Sequence, residues 1–271
     1  MRSVVGNLDR DSASSGVVPP LADWLGRRIQ GDLDALWARL ERSSGFPEPY
    51  FEDDVAQYRR WSRQRQTFLV RDDLRDLTQI RQIALVEHLA MLLPERVGSP
   101  LSVNALREDL QVAHDTVSAW LDALERLYFC FRLSPYTKRV ARAITRERKL
   151  YLWDWATIES EGARFENMVA SHLQKSVHYW NDLGLGDFDL QYIRDKEKRQ
   201  VDFVLTERRK PVLLVECKLR DEAPSDALIR FQDALGGIPA VQLVRTPGVD
   251  RRLPGLPLRI VTAASFLGTL V

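Results

Sequence analysis

The spacing of apolar residues divides the chain into a helical N-terminal part and a mixed C-terminal part. Between residues 21 and 40 the apolar positions recur at helical spacing. They are Trp24, Leu25, Ile29, Leu33, Leu36, Trp37 and Leu40. A second helical stretch contains Tyr58, Trp61, Phe68 and Leu69, and the two prolines of residues 45–50 predict a loop between the two helices. Residues 1–20, a small polar run ending in Pro19-Pro20, are predicted to form a flexible tail.

Residues 78–155 show three helical patterns followed by a hairpin. The first helix ends near Pro94, the second covers residues 102–110 with Ser102 as its N-cap, and the third follows the short link 111–113. The β-prone residues 127–133 have residues 149–153 as a candidate hairpin partner. This order of elements predicts a winged helix-turn-helix.

Charge leaves two interpretations of this winged helix open. The exposed positions of its third helix form a mainly acidic set that would repel phosphates: His114, Asp115, Ser118, Asp122, Glu125 and Arg126. The wing, in contrast, is basic: Lys138, Arg139, Arg142, Arg146, Arg148 and Lys149 oppose Glu147 alone. The wing therefore either contacts nucleic acid, with Lys138, Arg139 and Arg142 as the candidate binding residues, or is a solvated loop on a structural connector.

From residue 162 the pattern becomes mixed α and β. An apolar stripe of Phe165, Val169, Leu173 and Val177 predicts a helix up to Trp180, with Glu166 at the edge of its buried face. Residues 201–205 and 212–219 then flank a charged turn and predict a hairpin. If that turn centres on Arg209, Asp202 lies opposite Glu216.

This hairpin brings like charges together. Glu216 and Lys218 share one strand face, whereas Cys217 points to the other. Two carboxylates that face each other across neighbouring strands repel, and a cation would relieve the repulsion. Lys218 supplies one positive charge, and Mg²⁺, which accepts one or two protein carboxylates, suits the rest. A salt bridge at a strand end is the alternative interpretation.

The ordered set Glu166, Asp202 and Glu216-Cys217-Lys218 resembles the PD-(D/E)XK, or restriction-endonuclease-like, nuclease superfamily. The resemblance implies that Asp202, Glu216 and Glu166 bind Mg²⁺ or Mn²⁺, and that all four charged residues are catalytic. It also implies a further helix and strands. Residues 225–235, which end at Gly236-Gly237, predict that helix, and residues 240–244 and 258–261 predict the strands.

A second resemblance covers residues 40–271. The segments GFPEP (45–49), RDDLRDL (71–77), GSPLS (98–102), LERLY (124–128) and RFENMV (164–169) together resemble a family of prokaryotic AAA-type ATPases of unknown function. Those proteins have a P-loop ATPase module, a winged helix and a C-terminal nuclease-like domain. No G-x-x-x-x-G-K-[ST] motif occurs in this chain, so no nucleotide-binding residues and no bound ATP are expected.

Together these patterns predict an α+β or α/β protein with four parts. They are a tail (1–20), the helical end of an AAA ATPase module (21–77), a winged helix (78–155) and a nuclease-like mixed sheet flanked by helices (156–271). The predicted function is Mg²⁺-dependent phosphodiester hydrolysis in DNA. The alternative is a catalytically inactive remnant that binds DNA or protein.

Net charge, cysteine content and the lack of long apolar runs bear on the location and the partners expected for this protein. The net charge of +1 gives no overall attraction to nucleic acid, so such contacts must be local. The two cysteines lie in apolar runs and are expected to be free thiols. The sequence contains no apolar run long enough to span a bilayer and no signal core, so we expect a cytoplasmic protein without a membrane partner. DNA, a separate ATPase subunit or further copies of the chain remain candidate partners.

Overall fold

The computed structural model describes residues 32–73, 82–137 and 147–270. The predicted tail, the first part of the helix predicted over residues 21–40, and the wing residues Lys138, Arg139, Arg142 and Arg146 lie outside these ranges. The predictions made for them therefore remain predictions. Among the described residues, none of the helices combines the length and the apolar character needed to cross a bilayer.

The N-terminal region is helical, as the apolar spacing predicts. It contains α1 (Leu33–Ser43), α2 (Pro47–Glu52) and α3 (Val55–Thr67), and α3 continues into a π-helical turn, Phe68–Asp73. The loop predicted for residues 45–50 is wrong, because α2 begins at Pro47. Proline fits the first turn of a helix because the amide groups there have no partner within the helix.

A buried carboxylate joins these helices to the rest of the chain. Asp154 accepts hydrogen bonds from the hydroxyls of Tyr58 (2.8 Å) and Ser62 (2.9 Å), both on α3. The indole of Trp155 donates to the Leu40 carbonyl at the end of α1 (2.8 Å). The N-terminal helices thus pack against the segment that contains Asp154 and Trp155.

The predicted three helices and hairpin are present. They are α4 (Ile83–Leu92, followed by a 3₁₀ turn, Leu93–Arg96), α5 (Val103–Leu110), α6 (His114–Arg126), β1 (Cys130–Leu133) and β2 (Lys149–Leu152). The N-cap prediction is confirmed, since the Ser102 side chain accepts from the amide of Ala105. Strands β1 and β2 pair antiparallel.

The C-terminal part is a mixed sheet between helices. Its elements are α7 (Glu161–Asp182), β3 (Phe188–Arg194), β4 (Gln200–Glu207), β5 (Lys210–Lys218), α8 (Asp226–Ala234), β6 (Ala240–Val244), β7 (Asp250–Arg252), β8 (Leu258–Thr262) and α9 (Ala263–Leu267). Within the described ranges the sheet has six strands in the order β3-β4-β5-β6-β8-β7. Strands β3, β4 and β5 run antiparallel, β5, β6 and β8 run parallel, and β7 is an antiparallel edge strand.

Each face of this sheet has its own apolar core. Leu213 and Val215 pack in the core that contains Phe165 of α7. Their neighbour Leu214 packs in the other core, with Leu228 of α8. Side chains on β5 therefore alternate between the α7 face and the α8 face.

The predicted hairpin register is also observed. Arg208 and Arg209 form a two-residue turn with positive φ, and the register shifts between Leu205 and Thr206. After the shift Phe203 pairs with Val215. The pairs from Phe203–Val215 to Leu205–Leu213 have the register expected from a turn at Arg209, the register for which Asp202 is expected opposite Glu216.

A buried asparagine fixes α7 against β2. Asn167 is fully buried; its side-chain oxygen accepts from the Leu152 amide and its side-chain nitrogen donates to the Leu152 carbonyl, both at 2.7 Å. The side chain thus satisfies both backbone groups of a strand residue. It holds the first turns of α7, which carry Glu166, next to β2.

We expect Asn167→Leu to lower the free energy of unfolding by about 2–5 kcal/mol, because the buried Leu152 amide loses its side-chain partner and the carbonyl keeps only the 3.5 Å contact with Ser171. Urea denaturation followed by circular dichroism measures the change. Lys175→Met, at an exposed position of the same helix, is the control and should stay within about 0.5 kcal/mol of wild type. Equal effects of the two substitutions would show that Asn167 does not anchor the helix.

Candidate active site

Glu166 is held from three sides. Its Oε1 accepts from the Tyr151 hydroxyl at 2.7 Å and from the Lys149 ammonium at 3.1 Å. Gly98 covers the same carboxylate, since a Cβ at that position would lie 3.2 Å from Glu166 Oε2. Gly98 also has a φ of +73°, a left-handed conformation that favours glycine. The turn after α4 therefore closes one side of the site.

Lys149 corrects one of the predictions made for the wing. It was grouped with the exposed basic residues, but its side chain is fully buried. Its Nζ lies 3.1 Å from Glu166 Oε1 and 3.4 Å from Asp202 Oδ1. Lys149 and Tyr151 are two residues apart on β2, so both point toward Glu166. That spacing was visible in the sequence, but the acidic partner lies in a distant segment.

Asp202 lies between two groups of charges. Its Oδ1 faces Lys149, and its Oδ2 accepts from the backbone amide of Cys217 at 3.0 Å. The pairing of β3 with β4 shifts register at this point, between Gln191 and Ile193. At this irregular start of β4, Asp202 thus joins a buried ammonium to the backbone of β5.

Glu216 lies on the α8 face. Its Oε1 accepts from the Lys218 ammonium (3.3 Å) and from the hydroxyl of Ser225 (3.1 Å), the residue that also caps α8. Its Oε2 is buried and has no hydrogen-bond partner among the described residues. Lys218 is about one-third exposed, at 31%. Glu216 therefore presents one unsatisfied oxygen beside a reachable ammonium.

Gln242 is a site residue that the sequence analysis missed. It lies directly across from Glu216 in the parallel pair of β5 and β6, so the two side chains share a face. It is fully buried, and its Nε2 donates to the Glu222 carbonyl at 2.8 Å. Its Oε1 has no partner within the described part of the chain. A glutamine at the centre of the apolar strand Ala240–Val244 was the available signal.

The four predicted residues have different contact partners. Glu166 contacts Lys149 and Tyr151, Asp202 contacts Lys149 and the Cys217 amide, and Glu216 pairs with Lys218. Glu166 and Lys218 line one cleft. Over the described ranges, no three or more His, Cys, Asp or Glu side chains lie close enough together to hold a metal ion.

A two-carboxylate site still fits Mg²⁺, which takes its remaining ligands from water and phosphate. Asp202 and Glu216 are the residues that would hold it. The buried, unsatisfied Oε2 of Glu216 is the observation that supports this fit. Glu166 Oε1 already accepts from an ammonium and a hydroxyl, and both oxygens of Asp202 also have partners, so the fit depends mainly on Glu216.

Burial and mutual repulsion change the acidity of the site. Burial, and then the charge of Asp202, raise the pKa of Glu216 to about 7, although Lys218 and Ser225 oppose the shift. Burial and Asp202 raise the pKa of Glu166 to about 7 as well, against Lys149 and Tyr151. Burial lowers the pKa of Lys149, but Glu166 and Asp202 together raise it above its ordinary value. The lysines therefore do not fully neutralise the negative charge of the carboxylates in this site.

A cleft of about 490 Å³ opens beside these residues. Its walls include Glu166, Lys218, Arg220 and Glu222. The two cations Lys218 and Arg220 and the two carboxylates Glu166 and Glu222 thus line one cleft.

The raised pKa of Glu216 predicts a pH dependence of stability. The folded state binds this proton more tightly than the unfolded state, so metal-free protein should lose stability as pH rises from 4.5 toward about 7. Glu216→Gln should reduce that loss, because the amide does not titrate. Thermal melting in chelator-treated buffer from pH 4.5 to 7.5 measures it, with the exposed Glu159→Gln as control. An unchanged slope in Glu216→Gln would contradict the raised pKa.

Two protein-family models match this chain, and the boundary between the two matches lies at the start of α7. Residues 36–160 match the model of a family described as a domain of unknown function (DUF8612). No curated protein and no solved structure matches the chain. Residues 161–253, which begin at the first residue of α7, are similar to a second domain of unknown function (DUF4143), one often found at the C-terminus of AAA-ATPase-associated proteins.

Proposed function

We propose that this chain is a Mg²⁺-dependent phosphodiesterase of the restriction-endonuclease-like type that acts on DNA. The observation that carries the proposal is the pair Asp202 and Glu216 at the paired ends of β4 and β5, with a buried unsatisfied Glu216 oxygen beside Lys218. A bound cation would stabilise this arrangement, because the positive charge of Lys218 cannot neutralise both carboxylates.

The order of elements supports this proposal. A helix with an acidic residue, a strand that begins near an aspartate, an E-x-K strand, a second helix and further strands follow one another in the chain. This is the order that the resemblance to the PD-(D/E)XK superfamily implies. The three helices and hairpin upstream support the winged-helix interpretation in the same way.

The roles of the residues follow from their positions. Asp202 and Glu216 would hold the metal ion, which would supply Lewis-acid stabilisation of the phosphate and a more acidic bound water. Lys218, partly exposed in the cleft, would orient the attacking water and stabilise negative charge on the phosphate. Arg220 at the cleft wall would attract the DNA backbone.

The second candidate function is a binding module that no longer cuts DNA. The specific observation in its favour is Lys149, whose buried ammonium already balances part of the charge of Glu166 and Asp202. A site neutralised by its own lysine needs less external cation. Titration calorimetry with Mg²⁺ and Mn²⁺ separates the candidates, because only the nuclease requires metal binding.

We expect purified protein to cleave DNA with Mg²⁺ and to stop when EDTA is added. Asp202→Asn, Glu216→Gln and Lys218→Met should each lower the rate by roughly 100-fold or more, since each removes a group that binds the metal or stabilises charge. A gel assay with single-stranded, duplex and branched DNA measures the rates. Glu159→Gln is again the control and should cleave as wild type does. Absence of cleavage, or wild-type rates in the three variants, would refute the nuclease assignment.

A further inference from the structure

Lys149 occupies a complete cation site. Its ammonium faces Glu166 Oε1 at 3.1 Å and Asp202 Oδ1 at 3.4 Å, and it lies 5.7 Å from the centre of the Tyr192 ring. Two carboxylates and an aromatic face are groups that stabilise a positive charge. The lysine side chain has no solvent exposure.

A buried lysine of this kind is retained only if its partners are charged and well placed. Burying an ammonium costs several kcal/mol, and the pairing must offset that cost. Tyr151 contributes here, because its hydroxyl donates 2.7 Å to the same Glu166 oxygen and fixes the carboxylate. The carboxylates of Glu166 and Asp202 therefore have a cation without any metal on this side.

We propose that Lys149 is the resident cation of the α7 side of the site, in the position that a second divalent ion would otherwise take. Glu166 is then a positioning residue that holds Lys149, and a divalent ion binds only on the α8 side, at Asp202 and Glu216. The part of this inference that concerns the divalent ion rests on the proposed function. The part that concerns Lys149 and Glu166 stands on their contacts alone.

The cluster also crosses the boundary between the two family matches. Lys149 and Tyr151 lie within residues 36–160, whereas Glu166 and Asp202 lie within residues 161–253. The hairpin of the preceding part thus supplies the cation that offsets part of the carboxylate charge of the sheet domain. Displacing β2 would expose an uncompensated pair of carboxylates.

Metal stoichiometry tests the proposal in the intact chain. Titration with Mn²⁺, followed by electron paramagnetic resonance of the free ion, should give one bound ion for wild type. Glu166→Gln should still bind one ion, with affinity lowered by less than about tenfold, as expected of an indirect partner. Glu216→Gln should lose binding. Lys149→Met should bind two ions, because the vacated carboxylates form a second site.

A thermal double-mutant cycle tests the lysine without any metal. Lys149→Met should lower Tm by roughly 6–20 °C, because two buried carboxylates lose their partner. Combining it with Glu166→Gln should recover part of this loss, since one uncompensated charge is removed. Mn²⁺ should raise the Tm of Lys149→Met more than that of wild type.

Defined outcomes overturn the proposal. Loss of Mn²⁺ binding in Glu166→Gln would make Glu166 a metal ligand, and additive Tm changes in the double variant would show that Lys149 and Glu166 do not act together. If Lys149→Met does not fold, Glu166→Gln and the charge-preserving Lys149→Arg decide the question, since Lys149→Arg should still bind one ion. If wild type binds no Mn²⁺, the proposed nuclease function fails, and the thermal cycle alone then decides the role of Lys149.

Discussion

The buried contact between Lys149 and the carboxylates of Glu166 and Asp202 constrains the surrounding structure. An ammonium without solvent must have its partners in place, so β2, α7 and β4 have to meet at one point. The neighbouring residue of Glu166, Asn167, supplies the matching neutral contact by satisfying both backbone groups of Leu152. One helix turn thus fixes both the charge and the backbone of β2.

Strand alternation then divides the chemistry between two faces. Cys217 lies between Glu216 and Lys218 on β5 and packs with the core of the α7 side, whereas Glu216 contacts Ser225 at the start of α8. Asp202, where β4 begins irregularly, contacts Lys149 with one oxygen and the Cys217 amide with the other. On the α7 side Lys149 offsets part of the charge of Glu166 and Asp202, whereas Glu216 keeps an unsatisfied oxygen. This asymmetry is why we assign the metal and the lysine to different sides.

Local sequence patterns predicted many of the helices and strands. Contacts between segments that are distant in the sequence could not be predicted in this way. The hairpin register and the Ser102 cap follow from short-range rules, and both are observed. The residues of β3 show the alternation typical of a strand, so this element could also be predicted from the sequence. The three residues of β7 are all exposed and give no apolar pattern. Lys149 looked like one more wing cation, because nothing near it in sequence shows that Glu166 and Asp202 surround it. Gln242 likewise could not be recognised as a site residue without knowing that it lies beside Glu216 on the neighbouring strand.

A crystal structure of the protein soaked in Mn²⁺ tests the central claim most directly. Anomalous scattering locates the ion without any assumption about activity. The account predicts one peak, within coordination distance of Asp202 and Glu216, with Lys149 still between Asp202 and Glu166. A peak coordinated by Glu166, with the Lys149 ammonium displaced, would contradict it.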